Sequence, residues 1–105
     1  ILDIASIEAG YMRLDVKEFD IYAILNSVRT LIAQRLIEKE ISLTFECSPK
    51  IGVMLADETR VKQILFNLLS NAIKFSGRNS AISLGAHIRA SSDSNSESVI
   101  FWVQD

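Results

Sequence analysis

Cysteine, proline and glycine are all scarce here: the 105 residues contain one, one and four of them. With Cys47 alone, the chain has no internal disulfide and no cysteine metal cluster, a usage that suits a reducing compartment. So little Gly and Pro excludes a collagen-like or low-complexity chain. Excess positive charge is missing too. Eleven Lys and Arg stand against thirteen Asp and Glu, the net charge is −2, and the basic residues form no run. That balance offers no electrostatic footprint for nucleic acid or an anionic membrane. No apolar run is long enough to span a bilayer, and no signal-peptide pattern is present. The chain begins on Ile1 rather than Met and ends on Gln104-Asp105, straight after a strand-like run. Both ends read as cut from something longer.

What is present is enough for one small domain: 49% of the residues are hydrophobic and 23% charged. Ile1 to Ala9 reads as the end of an amphipathic helix that Gly10 terminates. Met12 to Phe19 begins with the alternation of a half-buried strand. Asp20 then caps a helix over Ile21 to Lys39, with Ile21, Ile24, Leu25, Val28, Leu31, Ile32 and Leu36 as its apolar stripe. Ile41 to Cys47 alternates as a strand with Ile41, Leu43, Phe45 and Cys47 inward, so Cys47 reads as a buried, inert thiol. A turn over Ser48 to Gly52 leads to a short strand, Val53 to Ala56. Asp57 caps a third helix that runs to Phe75, with Gly77 placed to stop it. Ala81 to Arg89 and Ser98 to Val103 read as strands, joined by a polar loop. His87, the single histidine, falls in the first of these and reads as a structural or exposed strand residue. Helices packed on a mixed or largely antiparallel sheet give an α+β sandwich.

The third helix carries the informative pattern. Wound at about 100° per residue, it gathers Val61, Leu65, Leu68, Leu69 and Ala72 into a core stripe. Arg60, Asn67, Asn71 and Lys74 collect on the other side. A solvated face would ordinarily use Glu, Lys, Gln or Arg, which cost less in a helix than Asn. Two Asn at i and i+4 suggest amides in use. An amide oxygen is a hard, neutral ligand for Mg²⁺, an amide NH₂ can donate to phosphate oxygens, and Lys74 adds positive charge. Phe75 could lie against a base or sugar.

Asn67-Leu68-Leu69-Ser70-Asn71-Ala72-Ile73-Lys74-Phe75, preceded by Asp57-Glu58-Thr59-Arg60-Val61-Lys62-Gln63-Ile64-Leu65, closely resembles the N box of sensor histidine kinases, members of the ATPase superfamily that includes gyrase and MutL. Ile1 to Gly10 also resembles the exit of their second dimerisation helix, with Ile7-Glu8-Ala9-Gly10 as its typical end. The resemblance covers essentially the whole chain. It implies residues 1–10 as the end of that helix and 11–105 as the N-terminal, incomplete part of an α/β sandwich that binds ATP with Mg²⁺, a mixed sheet with helices on one face. By position, Asn71 would be the Mg²⁺ ligand, Asn67 would help hold metal and phosphates, Lys74 would approach the phosphates, and Phe75 would line the pocket. Asp105 would read the adenine amino group. Hydrolysing relatives hold a water-activating glutamate where Asn67 stands, and an amide cannot take that proton, which fits transfer to a histidine.

The resemblance further implies a cytoplasmic parent, anchored to a membrane elsewhere if at all, whose partner is a response regulator receiver domain. The phosphoacceptor histidine and the second glycine box would lie outside these residues, so the fragment alone is expected to be inactive and to hold nucleotide weakly. Association as a homodimer is expected, through the dimerisation helices or through apolar sheet surface around Ile100 and Trp102. The main alternative is a nucleotide-independent pseudokinase or phosphotransfer scaffold of the same fold.

Overall fold

Both helices begin at an aspartate that caps them. The computed structural model describes residues 2–7, 15–90 and 97–105. Helix α1 (Ile21–Glu38) starts at Asp20, whose carboxylate accepts from the Ala23 N–H at 3.0 Å. Helix α2 (Glu58–Phe75) starts at Asp57, which accepts from the Arg60 N–H with one oxygen and from the Asp15 N–H with the other, both at 3.2 Å. Each cap satisfies a backbone donor that the first helical turn leaves open. The end of α1 is less usual. Glu40 sits at φ +56°, the Ile41 N–H reaches the Leu36 carbonyl at 2.9 Å, and the Glu40 N–H reaches Ile37 at 3.1 Å. This is a Schellman ending with a non-glycine at its left-handed position, closed by buried Leu36 and Ile41.

The strands are β1 (Leu2–Ile7), β2 (Lys17–Asp20), β3 (Ser42–Glu46), β4 (Val53–Ala56), β5 (Ala81–Ala90) and β6 (Glu97–Gln104). Four of them form one mixed sheet in the order β1-β6-β5-β3, with β3 and β5 parallel and the other pairs antiparallel. The parallel pair requires a crossover, which β4 and α2 supply. Strands β2 and β4 form a separate antiparallel pair. One core joins the inward residues of the large sheet (Ile82, Leu84, Ala86, Val99, Phe101, Val103) to the buried stripes of both helices, so the helices lie on one face. Among the described residues, no helix is long and apolar enough to cross a membrane.

The first segment differs from the expected helix. Leu2–Ile7 is a strand, paired antiparallel with β6 from Leu2↔Gln104 to Ile7↔Val99. Its apolar residues at 1, 2, 4, 5 and 7 fit either period. The unpaired N–H and C=O groups along β6 decide between them, because a strand satisfies that row and a helix does not. Smaller differences have similar causes. Leu31, expected in the α1 stripe, is 61% exposed, since the buried line steps through Val28, Ile32 and Leu36 and leaves it to the side. Leu68, expected in the α2 stripe, is half-buried, and Ile73, absent from that stripe, is buried in the core. Of the strand expected over Met12 to Phe19, the part before Asp15 and the loop over 91–96 fall outside the described residues.

The two helices lock at their C-terminal ends. The Lys39 ammonium donates to the Ile73 carbonyl at 2.5 Å and to Lys74 at 3.2 Å, capping α2 from α1. Arg78 returns the arrangement, donating from Nη1 to the Glu38 carbonyl of α1 at 3.2 Å. Arg35 bridges the two helices to Ser70 at 2.9 Å and lies 6.0 Å over the Phe66 ring. Cations at helix C-termini offset the partial negative charge there.

On the helix-free face of the sheet, Trp102 lies across Gly85, its partner in the β5–β6 register. A Cβ at Gly85 would sit 2.4 Å from the indole and 2.7 Å from the Glu46 backbone oxygen, so only glycine fits. Gly85→Ala is therefore expected to cost about 1–3 kcal/mol of stability by overpacking. Urea unfolding checks this. Adding Trp102→Ala should recover only part of the loss, because the Glu46 carbonyl remains.

Candidate functional site

Helix α2 presents two faces of opposite character. Val61, Leu65, Leu69, Ala72 and Ile73 are buried in the core, and α2 packs against α1, β6 and β1. Arg60, Asn67, Asn71 and Lys74 are all exposed on one flank of the helix, and Lys74 also borders the cleft between the ends of α1 and α2. The four residues that the sequence places together are thus together in the fold. Neither Asn67 nor Asn71 makes a hydrogen bond among the described residues, so both amides keep their full donor and acceptor capacity.

Phe75 ends the helix and is 74% exposed, with the Lys74 ammonium 5.4 Å from its ring centroid. A phenyl ring left in water is costly, and this one stands beside the amide line. Asp105 comes to the same end of the helix from β6: the buried Ser76 hydroxyl donates to its carboxylate at 3.4 Å. The site residues expected from sequence therefore share one region, the exposed flank and C-terminal end of α2. Asn71 to Phe75 spans about one helical turn.

Sequence reasoning missed three contributors. Ile64 is 39% exposed and Leu68 half-buried, and with Phe75 they form an apolar border beside the asparagines at helical spacing. Reading the helix as core stripe against polar face concealed this border, although the spacing 64, 68, 75 carries it. Ser76 is the third. It is the C-cap of α2, its N–H reaching the Ala72 carbonyl at 3.0 Å, and its hydroxyl holds Asp105. No local signal shows a contact across 29 residues.

The donor set has a clear chemistry. Among the described residues there is no cluster of three His, Cys, Asp or Glu that could hold a metal ion. Exposed amide oxygens suit Mg²⁺, which keeps several waters and binds through one or two protein oxygens plus substrate phosphates. The NH₂ groups of the same residues, with Arg60 and Lys74, suit phosphate oxygens. The other isolated groups contribute nothing comparable. His87 is an exposed strand residue. Burial pushes the Cys47 thiol up, and the Asp20 carboxylate adds to the shift, so Cys47 is a poor nucleophile.

No family model matches the chain. Among proteins of known function it is 35% identical, over 107 aligned residues and its whole length, to hybrid signal transduction histidine kinase B of Dictyostelium discoideum. It is 35% identical over 89 residues to histidine kinase 2 of Arabidopsis thaliana, which covers 84% of the chain. The chain spans only 5% and 8% of those relatives' lengths. Among solved structures it is similar to the nucleotide-free catalytic domain of histidine kinase ThkA, with a TM-score of 0.67 at 18% identity over 86% of this chain and 96% of that one. Full-length ShkA in complex with AMPPNP matches with a TM-score of 0.67 at 21% identity, covering 90% of this chain and 32% of that one.

The unused amides make a stability prediction. Each exposed asparagine costs its helix about 0.5 kcal/mol relative to alanine. Asn67→Ala with Asn71→Ala is expected to stabilise the chain by about 1 kcal/mol, raising its thermal midpoint by circular dichroism. A loss of stability would show that the amides hold the fold instead of standing ready for a ligand.

Proposed function

We propose that this chain, which belongs to the histidine kinase family and has the fold of its catalytic domains, supplies the metal and phosphate wall of a Mg-ATP site. The observation that carries the reading is the line of two amides, without a hydrogen bond among the described residues, and a lysine on the exposed flank of α2. Residues 11–105 would be the N-terminal part of the ATP-binding domain, and 1–10 the stretch leading in from the dimerisation region. Asn71 would coordinate Mg²⁺ through its amide oxygen. Asn67, one turn earlier, would hold metal-bound water and phosphate oxygens, and Lys74 would neutralise phosphate charge. Phe75, with Ile64 and Leu68, would give the nucleotide an apolar wall. Asp105, brought to the same end by Ser76, would accept from the adenine amino group. The metal ion, when bound, neutralises the charge that builds on the transferred phosphoryl group.

With an amide at Asn67, no side chain of this face can deprotonate a water. The reading is therefore transfer to a protein histidine and from there to a response regulator, in a parent that works as a homodimer in the cytoplasm. Support comes from the relatives, which are named as histidine kinases, one of them a hybrid signal transduction histidine kinase, and from ThkA, solved in complex with the response regulator TrrA.

In the full-length parent, Asn71→Ala is expected to lower Mg-ATP-dependent autophosphorylation about a hundredfold or more, the scale of losing one positioned electrostatic group. Phosphorylation that persists in that variant would favour the nucleotide-independent scaffold. For the 105-residue polypeptide alone, calorimetric titration with Mg-ATP is expected to show no micromolar binding, since the exposed face encloses little of a nucleotide.

A further inference from the structure

We infer that the cleft between the C-terminal ends of α1 and α2 is a second site, built to take a phosphate-type oxyanion. The cleft, of about 490 Å³, is lined by Arg35, Glu38, Lys39, Ile73, Lys74 and Arg78. Four of its six residues are basic, in a chain whose net charge is −2. None of the four has a carboxylate partner: among the described residues the ion pair is Lys17 with Asp15, at 3.5 Å and elsewhere in the fold. Glu38, the single acid of the cleft, is engaged by the Gln34 amide at 3.5 Å.

Helix capping accounts for only part of this charge. Lys39 is committed to the last carbonyls of α2, and Arg78 gives one nitrogen, Nη1, to the Glu38 carbonyl. Arg35 gives its Nη1 to the Ser70 hydroxyl. Each guanidinium has five N–H donors, so both arginines keep donors in reserve in the fixed fork that matches phosphate oxygens two at a time. Lys74 adds a fourth charge from the rim. Four positive charges stand against the one carboxylate of Glu38 and the partial negative charge of the helix ends, and a multiply charged anion would relieve the repulsion that remains. The cleft opens on the α1 side of α2, whereas Asn67 and Asn71 lie along the flank away from α1. Lys74 alone borders both.

Titration of the ¹⁵N-labelled chain with pyrophosphate, followed by amide NMR, tests the inference. Saturable shifts are expected at residues 35–39 and 73–78, unchanged in an Asn71→Ala variant. Arg35→Gln with Arg78→Gln should weaken the affinity about a hundredfold, about tenfold for the charge-assisted hydrogen bond lost at each arginine. Should the double variant not fold, each single variant is expected to weaken binding in the same direction. A second arm compares a phosphoserine peptide with its unphosphorylated form. Binding of pyrophosphate alone assigns the site to free phosphate compounds, and binding of the phosphopeptide alone assigns it to phosphate carried on a protein. Shifts reproduced by sodium chloride at equal ionic strength, or confined to residues 60–71, would overturn the inference, as would silence in both arms.

Discussion

Helix α2 works under two opposed demands. One face must be apolar enough to fix the sandwich, and the other must hold amides that a helix tolerates poorly. The first demand is met by a stripe in which Leu65 and Leu69 are completely buried. The second is met by closing both ends of the helix: an aspartate at the start with both oxygens used, and a lysine from the end of α1 on its last carbonyls. Burial of the five core residues contributes several kcal/mol, at roughly 1.5–3 per large side chain, against about 0.5 lost at each asparagine. That margin is what allows two asparagines to sit in mid-helix.

The crossed caps have a geometric effect as well. Lys39 binds the last carbonyls of α2, while Arg78, just beyond α2, binds the last turn of α1. The two helix ends are held to each other by backbone acceptors instead of by side-chain pairs that could exchange partners. The Asn67–Phe75 flank is thereby kept at a fixed angle to the sheet, and Asp105 arrives from β6 at that same end. The proposed site, assembled from a helix flank and a strand end, would need this rigidity, because neither element alone carries all the groups.

Much of this was legible in the chain. Asp20 and Asp57 mark the helix starts by their side chains, and the period in Val61-Leu65-Leu69-Ala72 separates core from solvent without help from distant residues. The amide line at Asn67, Asn71 and Lys74 follows from the same winding. What escaped depends on contacts far apart in sequence. Leu2–Ile7 is a strand because β6 offers it an edge, and its own pattern is neutral between helix and strand. The Ser76–Asp105 contact spans 29 residues. The left-handed Glu40 is hidden for another reason: its position favours glycine, and burial of Leu36 and Ile41 on either side holds it there regardless. The apolar border of Ile64 and Phe75 could have been read from spacing alone, since exposed apolar residues beside a polar line mark a surface meant to be covered.

The indole across Gly85 gives the molecule an internal optical probe. Trp102 is the chain's single tryptophan, half-buried on the helix-free side of the sheet at the junction of β1, β6 and β5. Its emission colour and quenching are governed by the order of those three strands and by water reaching that side. The flank of α2 that carries the asparagines lies across the sheet from it. Intrinsic fluorescence of this protein is consequently a gauge of sheet integrity, and any ligand seated on the amides is spectrally silent unless the strands themselves shift.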